Sequence, residues 1–150
     1  LQRVTNCILK HQNHILLLQK PSKGWYAMPG GKMEQGENIK ESVIREFKEE
    51  TGLYLMEPKL RGVFTMVKKE QYSLEKEWMM YTFFCDCFEG ELLEQSKEGK
   101  LKWIPVEEVS NLPTAPSDKF IHQHLLHRQA ILYGTFEYGA DYQLTDYRFN

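Results

Sequence analysis

The chain has 150 residues, enough for a domain with its own core, and 41% hydrophobic with 13% aromatic residues is the composition of a globular protein rather than a disordered one. Lysine and arginine number 19 against 21 aspartates plus glutamates, a net charge of -2, which argues against a surface for a nucleic-acid polymer but leaves room for a cationic cluster around one nucleotide. No stretch is apolar for long enough to cross a membrane, and the opening LQRVTNCILK lacks the charged-then-apolar order of a signal peptide.

In chain order, Val4 to Leu9 and Ile15 to Gln19 read as strands joined by the polar turn HQNH, a hairpin. The second carries the continuous apolar run ILLL, which fits a strand covered on both faces. PSKGWYAMPGG follows as a loop, its prolines and glycines excluding regular structure. Asn38 is a good N-cap for the next helix, with Glu41 placed to return the capping-box bond and Gly52 suited to the left-handed residue that ends it. Between them Ile39, Val43, Ile44 and Phe47 form an apolar stripe at helical spacing. Glu46, Glu49 and Glu50 share another face, with Arg45 beside them. Carboxylates so placed repel one another, so a helix that keeps them is expected to have a cation to neutralise them.

Lys59 to Val67 and Trp78 to Phe88 read as strands, with the polar connection KKEQYSLEKE between them. Cys85 and Cys87 sit two apart in an apolar run, hence on one face of a strand; with Cys7 they show no C-x-x-C and no paired zinc spacing, so buried thiols in a reducing, cytoplasmic compartment are expected. Leu101 to Ile104 is a short strand, and Pro105 starts a short helix that Pro113 ends. Ser117 and Asp118 are read as the cap of a further helix that buries Phe120, Ile121, Leu125, Ala130, Ile131 and Leu132 and stops at Gly134. His122, His124 and His127 crowd that helix without the ligand cluster a zinc site needs. GTFEYGADYQLTDYRFN alternates like a hairpin with a Gly-Ala-Asp turn. With no repeat or linker, the expectation is one α/β domain over residues 1–150.

The stretch from Gly31 to Leu53 holds the chemistry. It runs Gly31, five residues, Glu37, seven residues, Arg45-Glu46-Phe47, then Glu49-Glu50, and Gly52-Leu53. With residue types at a few per cent each, a chance match of its fixed letters is below about 10⁻⁷ per starting point. This spacing resembles, without departure, the box of the Nudix hydrolases. The resemblance implies a mixed sheet sandwiched between helices, an α/β/α fold. It also implies a magnesium-dependent pyrophosphohydrolase of nucleotides in which manganese can substitute, and a homodimer as a family-level expectation.

Roles are implied position by position. Glu46 and Glu50 are the metal ligands, Glu49 shares in metal binding and catalysis, and the Gly30 carbonyl is a further ligand. Arg45 orients a catalytic glutamate through charge-assisted bonds. Glu37 supports the loop and the substrate side, and Gly31 lets the backbone approach phosphate without a Cβ in the way. Lys20 and Glu98 resemble residues of the MutT branch: a lysine set against the substrate phosphates, and a loop glutamate that completes the metal site or activates water. A solvated strand-end lysine and an exposed loop glutamate are the plain alternatives. Trp103 is read as a core residue rather than a stacking one.

The MutT branch sanitises oxidised nucleotides such as 8-oxo-dGTP and reads the base with an asparagine after a Pro-x-Ala stretch. Here the stretch is Pro113-Thr114-Ala115 and the next residue is Pro116, which has neither a side-chain amide nor a backbone N–H. Asn6 or Asp118 is left to replace that contact. Hydrolysis of guanosine polyphosphate alarmones, or of other nucleoside diphosphate derivatives, is the alternative substrate class. A non-catalytic nucleotide sensor is the alternative outside enzymology, disfavoured by the intact acidic set.

Overall fold

In the computed structural model, which describes residues 1–71 and 75–150, the elements are β1 (Gln2–His11), β2 (His14–Gln19), β3 (Tyr26–Ala27), β4 (Gly30–Lys32), α1 (Ile39–Thr51), β5 (Leu53–Leu55), β6 (Lys59–Lys68), β7 (Lys76–Cys85), β8 (Phe88–Gly90), β9 (Lys100–Pro105), a 3-10 helix (Val106–Asn111), α2 (Pro116–His127), β10 (Leu132–Tyr138) and β11 (Leu144–Phe149). The connection read between the two long strands includes residues 72–74, outside those described.

One mixed sheet runs β11-β10-β6-β7-β1-β2-β3, with β4 also on β1 and β9 also on β2. β1 is its pivot. It runs parallel to β7 from Gln2 to Leu9, and its other edge is shared by β4 at Val4 to Asn6 and by β2 at Lys10 and His11. Two strands taking successive halves of one edge must splay apart, and the β1–β4 half, Val4 to Asn6 against Gly30 and Gly31, lines a cleft. The turn between β1 and β2 is made by Gln12 and Asn13 at φ 50° and 59°, the left-handed pair that matches hairpin twist.

The period of 2 along β1 and β2 divides the core between two layers. Ile8, Ile15 and Leu17 face α2, packing with Ile121, Leu125, Phe64 and Phe136. Cys7, Leu9 and Leu16 face α1, packing with Val43 and Phe47. Hence ILLL is buried throughout, and the fold is a mixed sheet between helices. Phe47 is fully buried, so Phe47→Ala should cost about 3–5 kcal/mol and release α1 from the sheet. α1 keeps the read bounds: the Asn38 side chain accepts from the Glu41 amide at 2.9 Å, Glu41 returns the bond at 2.9 Å, and Gly52 ends the helix at φ 83°.

Several expectations are corrected. The PSKGWYAMPGG stretch is not wholly irregular, because Tyr26–Ala27 pairs with β2 and Gly30–Lys32 with β1. Pairing with a preformed strand overrides local glycine content. The strand expected to reach Phe88 stops at Cys85, and the chain bends before β8, so Cys85 is buried while Cys87 is exposed. The thiols therefore do not share a buried face. Ser117 and Asp118 do not cap α2: Ala115 is the N-cap and Pro116 takes the first turn, where a missing N–H costs nothing. Nor does α2 reach Gly134. It ends at His127, and Leu132 to Tyr138 pair in parallel with Gly62 to Lys68 of β6. Ala130 and Ile131 are exposed rather than buried. Trp103 is half-buried among the α1-side residues, its ring 5.9 Å from that of Phe88.

Candidate active site

The site is organised by Arg45 on α1. Its Nε donates to Glu37 Oε2 at 2.6 Å and its Nη2 to Glu37 Oε1 at 2.9 Å, a two-pronged bond across the helix N-terminal loop. Nη2 also donates to the Lys32 carbonyl at 3.1 Å. Nη1 reaches Glu46 at 2.9 Å and both oxygens of Glu49 at 3.3 Å. Held this way, Glu37 has its pKa lowered to about 2, chiefly by the Arg45 bonds and then by the Glu34 amide. The same bonds push Arg45 above the ordinary guanidinium range. The cation expected for the acidic face is thus partly built in, and it fixes Glu37, Glu46 and Glu49.

Glu50 is treated differently. Its Oε2 is buried with no hydrogen-bond partner. Burial raises its pKa to about 7, a backbone bond from Gly30 opposes that, Glu98 and Glu46 add to the rise, and Lys20 counters it. A buried carboxylate oxygen without a partner costs free energy unless something positive occupies the space beside it. Gly30 and Gly31 close the other side: a Cβ at Gly31 would collide with the Glu46 carboxylate, and one at Gly30 with the Thr5 carbonyl and Asn6. Hard oxygen donors around a backbone free of side chains suit a hard divalent cation. Among the described residues, no three His, Cys, Asp or Glu side chains already converge as a metal cage. Arg45 holds Glu46 and Glu49, so a cation would draw them toward Glu50.

Glu98 and Lys20 come from elsewhere in the chain and both act on Glu50 electrostatically. Glu98 is exposed, in a tight loop where its amide donates to Ser96 Oγ at 3.3 Å. Gly99 beside it presses so closely on the Gln19 carbonyl that a Cβ would not fit, which pins this loop next to Lys20.

From Gly30 and Gly31 a cleft of about 450 Å³ extends away from α1, past Asn6, Lys20 and Asp118. Asn6 donates to Met80 Sδ at 3.4 Å, while its Oδ1 is buried without a partner. Asp118 is buried, and burial raises its pKa to about 7 against the pull of Lys20 and a bond with Ser117. Ser117 in turn accepts from the Tyr138 hydroxyl at 2.6 Å. Pro116 is not on the cleft, although its neighbours Ala115, Ser117 and Asp118 are. The structure therefore brings Asn6, Lys20, Gly30, Gly31 and Asp118 to one cleft; Glu46 lies against Gly31, Glu50 is bonded by Gly30 and feels Glu98, and Arg45 ties Glu37 and Glu49 to Glu46. Sequence reasoning missed Lys23, Trp25, Tyr138 and Tyr142, which also line the cleft. The signal was an aromatic residue beside lysine in the loop and a tyrosine in a late turn. The three histidines of α2 do not converge: His122 is buried with Nε2 unpartnered, while His124 Nε2 lies 2.6 Å from the Ala130 carbonyl.

The NUDIX domain profile matches residues 1–126. The chain belongs to the Nudix hydrolase family. It is 49% identical over 148 residues to the uncharacterized Nudix hydrolase YvcI of Bacillus subtilis, covering 99% of this chain and 94% of that one. It is 34% identical over 114 residues to an ADP-ribose pyrophosphatase of Methanocaldococcus jannaschii, covering 74% of this chain and 64% of the relative. A crystal structure of a MutT protein from Bacillus halodurans superposes with TM-score 0.96 at 51% identity, covering 100% of this chain and 98% of the other. This Nudix hydrolase thus belongs to a family acting on nucleoside diphosphate derivatives and generally using divalent cations. No helix among its described residues is long and apolar enough to cross a membrane.

Proposed function

We propose that this Nudix hydrolase is a magnesium-dependent pyrophosphohydrolase of purine nucleoside polyphosphates, with guanine nucleotides, including 8-oxo-dGTP, among its substrates. The observation that carries the reading is one cleft that is lined by Gly30 and Gly31, by Lys20 and by the aromatic rings of Trp25 and Tyr142, its two glycines lying against Glu46 and Glu50 of α1. Cation, phosphate and base would each meet a surface of matching chemistry there.

In this reading Glu46, Glu50 and the Gly30 carbonyl hold magnesium. The chemistry a bound magnesium supplies is charge neutralisation at phosphate oxygens and a lowered pKa for water. The protein's own part is position. Arg45 keeps Glu46 and Glu49 in register with Glu37, Glu49 would share in holding the cation, Lys20 sets the phosphates, and Glu98 takes the proton from the attacking water. Water adds to phosphorus as the bridging P–O bond breaks, giving a nucleoside monophosphate and pyrophosphate from a triphosphate.

Because Pro116 offers no donor and lies off the cleft, base reading falls to Asn6, Asp118 and stacking. Where stacking carries the base end, discrimination is weak, because every base offers a π face. The expected preference between 8-oxo-dGTP and dGTP is below about tenfold, under roughly 1.4 kcal/mol. Competing 8-oxo-dGTP, dGTP and GTP in one assay, with and without magnesium, tests this. A preference of about a hundredfold or more for the oxidised base would overturn it and point to Asn6 or Asp118 as the reader. Absence of turnover with magnesium would favour the nucleotide sensor.

A second reading, hydrolysis of guanosine polyphosphate alarmones, is favoured by one further feature. Lys20 also borders a neighbouring cleft lined by Lys97 and Lys100, placed to take an additional phosphate arm. Guanosine tetraphosphate and ADP-ribose belong in the same substrate panel, and a higher kcat/KM for the former than for GTP would make this the principal activity.

A further inference from the structure

The family profile ends at residue 126, and the residues beyond it build β10, β11 and the turn between them. That turn carries Tyr142 at φ 62°, a left-handed conformation that a bulky side chain adopts only at a cost. It is kept there by short bonds: the Tyr142 amide donates to the Gly139 carbonyl at 3.0 Å, and the Gly139 amide to the Gln143 carbonyl at 2.8 Å. The strained conformation sends the ring back to the cleft, where it meets Trp25 at 89° with centroids 6.4 Å apart. The corner between the rings is filled by a cation. Lys23 Nζ is 4.5 Å from the Trp25 centroid and 4.3 Å from that of Tyr142. Lys68 also lies over Tyr142, at 4.0 Å, but is tied to Glu70 at 3.6 Å. Lys23 makes no ion pair among the described residues, and its own side chain is exposed.

An aromatic corner on the wall of a nucleotide-sized cleft, held by a cation with no carboxylate partner among the described residues, is a place that a planar ring can take. We propose that Tyr142, with Trp25, is the base-stacking wall of this enzyme, an affinity-determining residue supplied by its C-terminal hairpin. Lys23 occupies the corner in the free protein and gives way when a base enters. This rests on the reading that a nucleotide fills the cleft, and it names what grips the base end. A base lying on the Tyr142 face meets Trp25 at a right angle, the edge-to-face arrangement aromatic groups favour. Stacking tolerates every base because each has a π face, so a wall of this kind binds purines firmly while separating them poorly.

The test is calorimetric binding of GDP and of inorganic pyrophosphate, each with saturating magnesium, to the parent, Tyr142→Phe and Tyr142→Ala. Phe and Ala carry a Cβ and meet the same φ, so the backbone cost is common to both variants. Tyr142→Ala should weaken GDP at least about fivefold, the low end for loss of a stacking aromatic, and leave pyrophosphate unchanged, while Tyr142→Phe should match the parent. Parent-like GDP binding by Tyr142→Ala would overturn the proposal. So would equal loss of GDP and pyrophosphate, the mark of a structural role, or a parent that binds GDP no better than pyrophosphate. Hydrolysis measured on the same samples separates the two claims: Tyr142-dependent GDP binding without nucleotide turnover would sink the pyrophosphohydrolase reading and leave the wall standing.

Discussion

Arg45 holds Glu37 by two parallel bonds, 2.6 and 2.9 Å long, across the loop that leads into α1. The same guanidinium reaches Glu46 and Glu49, so one planar group sets the position of three carboxylates. Lysine carries the charge without the fork. Arg45→Lys should therefore lower kcat by about tenfold to a hundredfold, the scale of a small misplacement at a reacting centre, with little change in KM. Steady-state kinetics at saturating magnesium decide it, and a parent-like kcat would reduce Arg45 to a charge balance.

Glu50→Gln keeps shape and removes the carboxylate whose buried oxygen lacks a partner. Turnover should fall by at least about 10², as when a preorganised charge-stabilising group is lost. More than half the parent activity remaining would remove Glu50 from the metal site. Without metal, the variant should melt higher above neutral pH, because burial and the Glu98 and Glu46 charges disfavour the ionised carboxyl. Thermal melts in a chelator are the check, and a clear fall in Tm would contradict the repulsion argument.

Glu98→Gln probes the loop pinned beside Lys20. A group that acts in the transition state should show in kcat and kcat/KM together while KM hardly moves. Exposure of Glu98 makes a stability effect small, so the kinetics can be read without correction. Unchanged kinetics would confine catalysis to α1.

Asp118 and His122 lie four residues apart on α2 and titrate in opposite senses. Burial raises Asp118 from 3.8 to about 7, so the folded chain keeps a proton that the unfolded chain releases. That stability is full below pH 3.8 and is lost as pH rises through 7. Burial lowers His122 from 6.5 to about 4, so its contribution is full above 6.5 and is lost as pH falls through 4. Asp118→Asn should therefore gain on the parent as pH rises across this window, by roughly 4 kcal/mol in order of magnitude. His122→Gln should flatten the acid limb by roughly 3 kcal/mol. Urea melts at several pH values from about 4 to 8 test both signs. A pH-independent difference for either variant would mean its side chain does not titrate as a buried group.

What the sequence determined by itself was what sequence-local physics controls. The capping box of Asn38 and Glu41, the stripe from Ile39 to Phe47 and the stop at Gly52 specify α1 to the residue, because each is a contact within a few positions. The glutamate face and Arg45 were legible for the same reason, and so was the burial of ILLL. Where a long-range partner competes with local preference, the tertiary structure decided. Leu132 follows helix-like sequence yet pairs with β6, Gly30 and Gly31 pair with β1 despite being glycines, and Cys87 turns outward where β7 ends. The base end of the cleft belongs to this second class. Trp25 and Tyr142 stand 117 positions apart in number, 142 − 25, and meet only because β10 adds in parallel to β6 and carries its turn back to the loop after β2. No spacing rule joins residues so distant; sheet order and the handedness of one strained turn do.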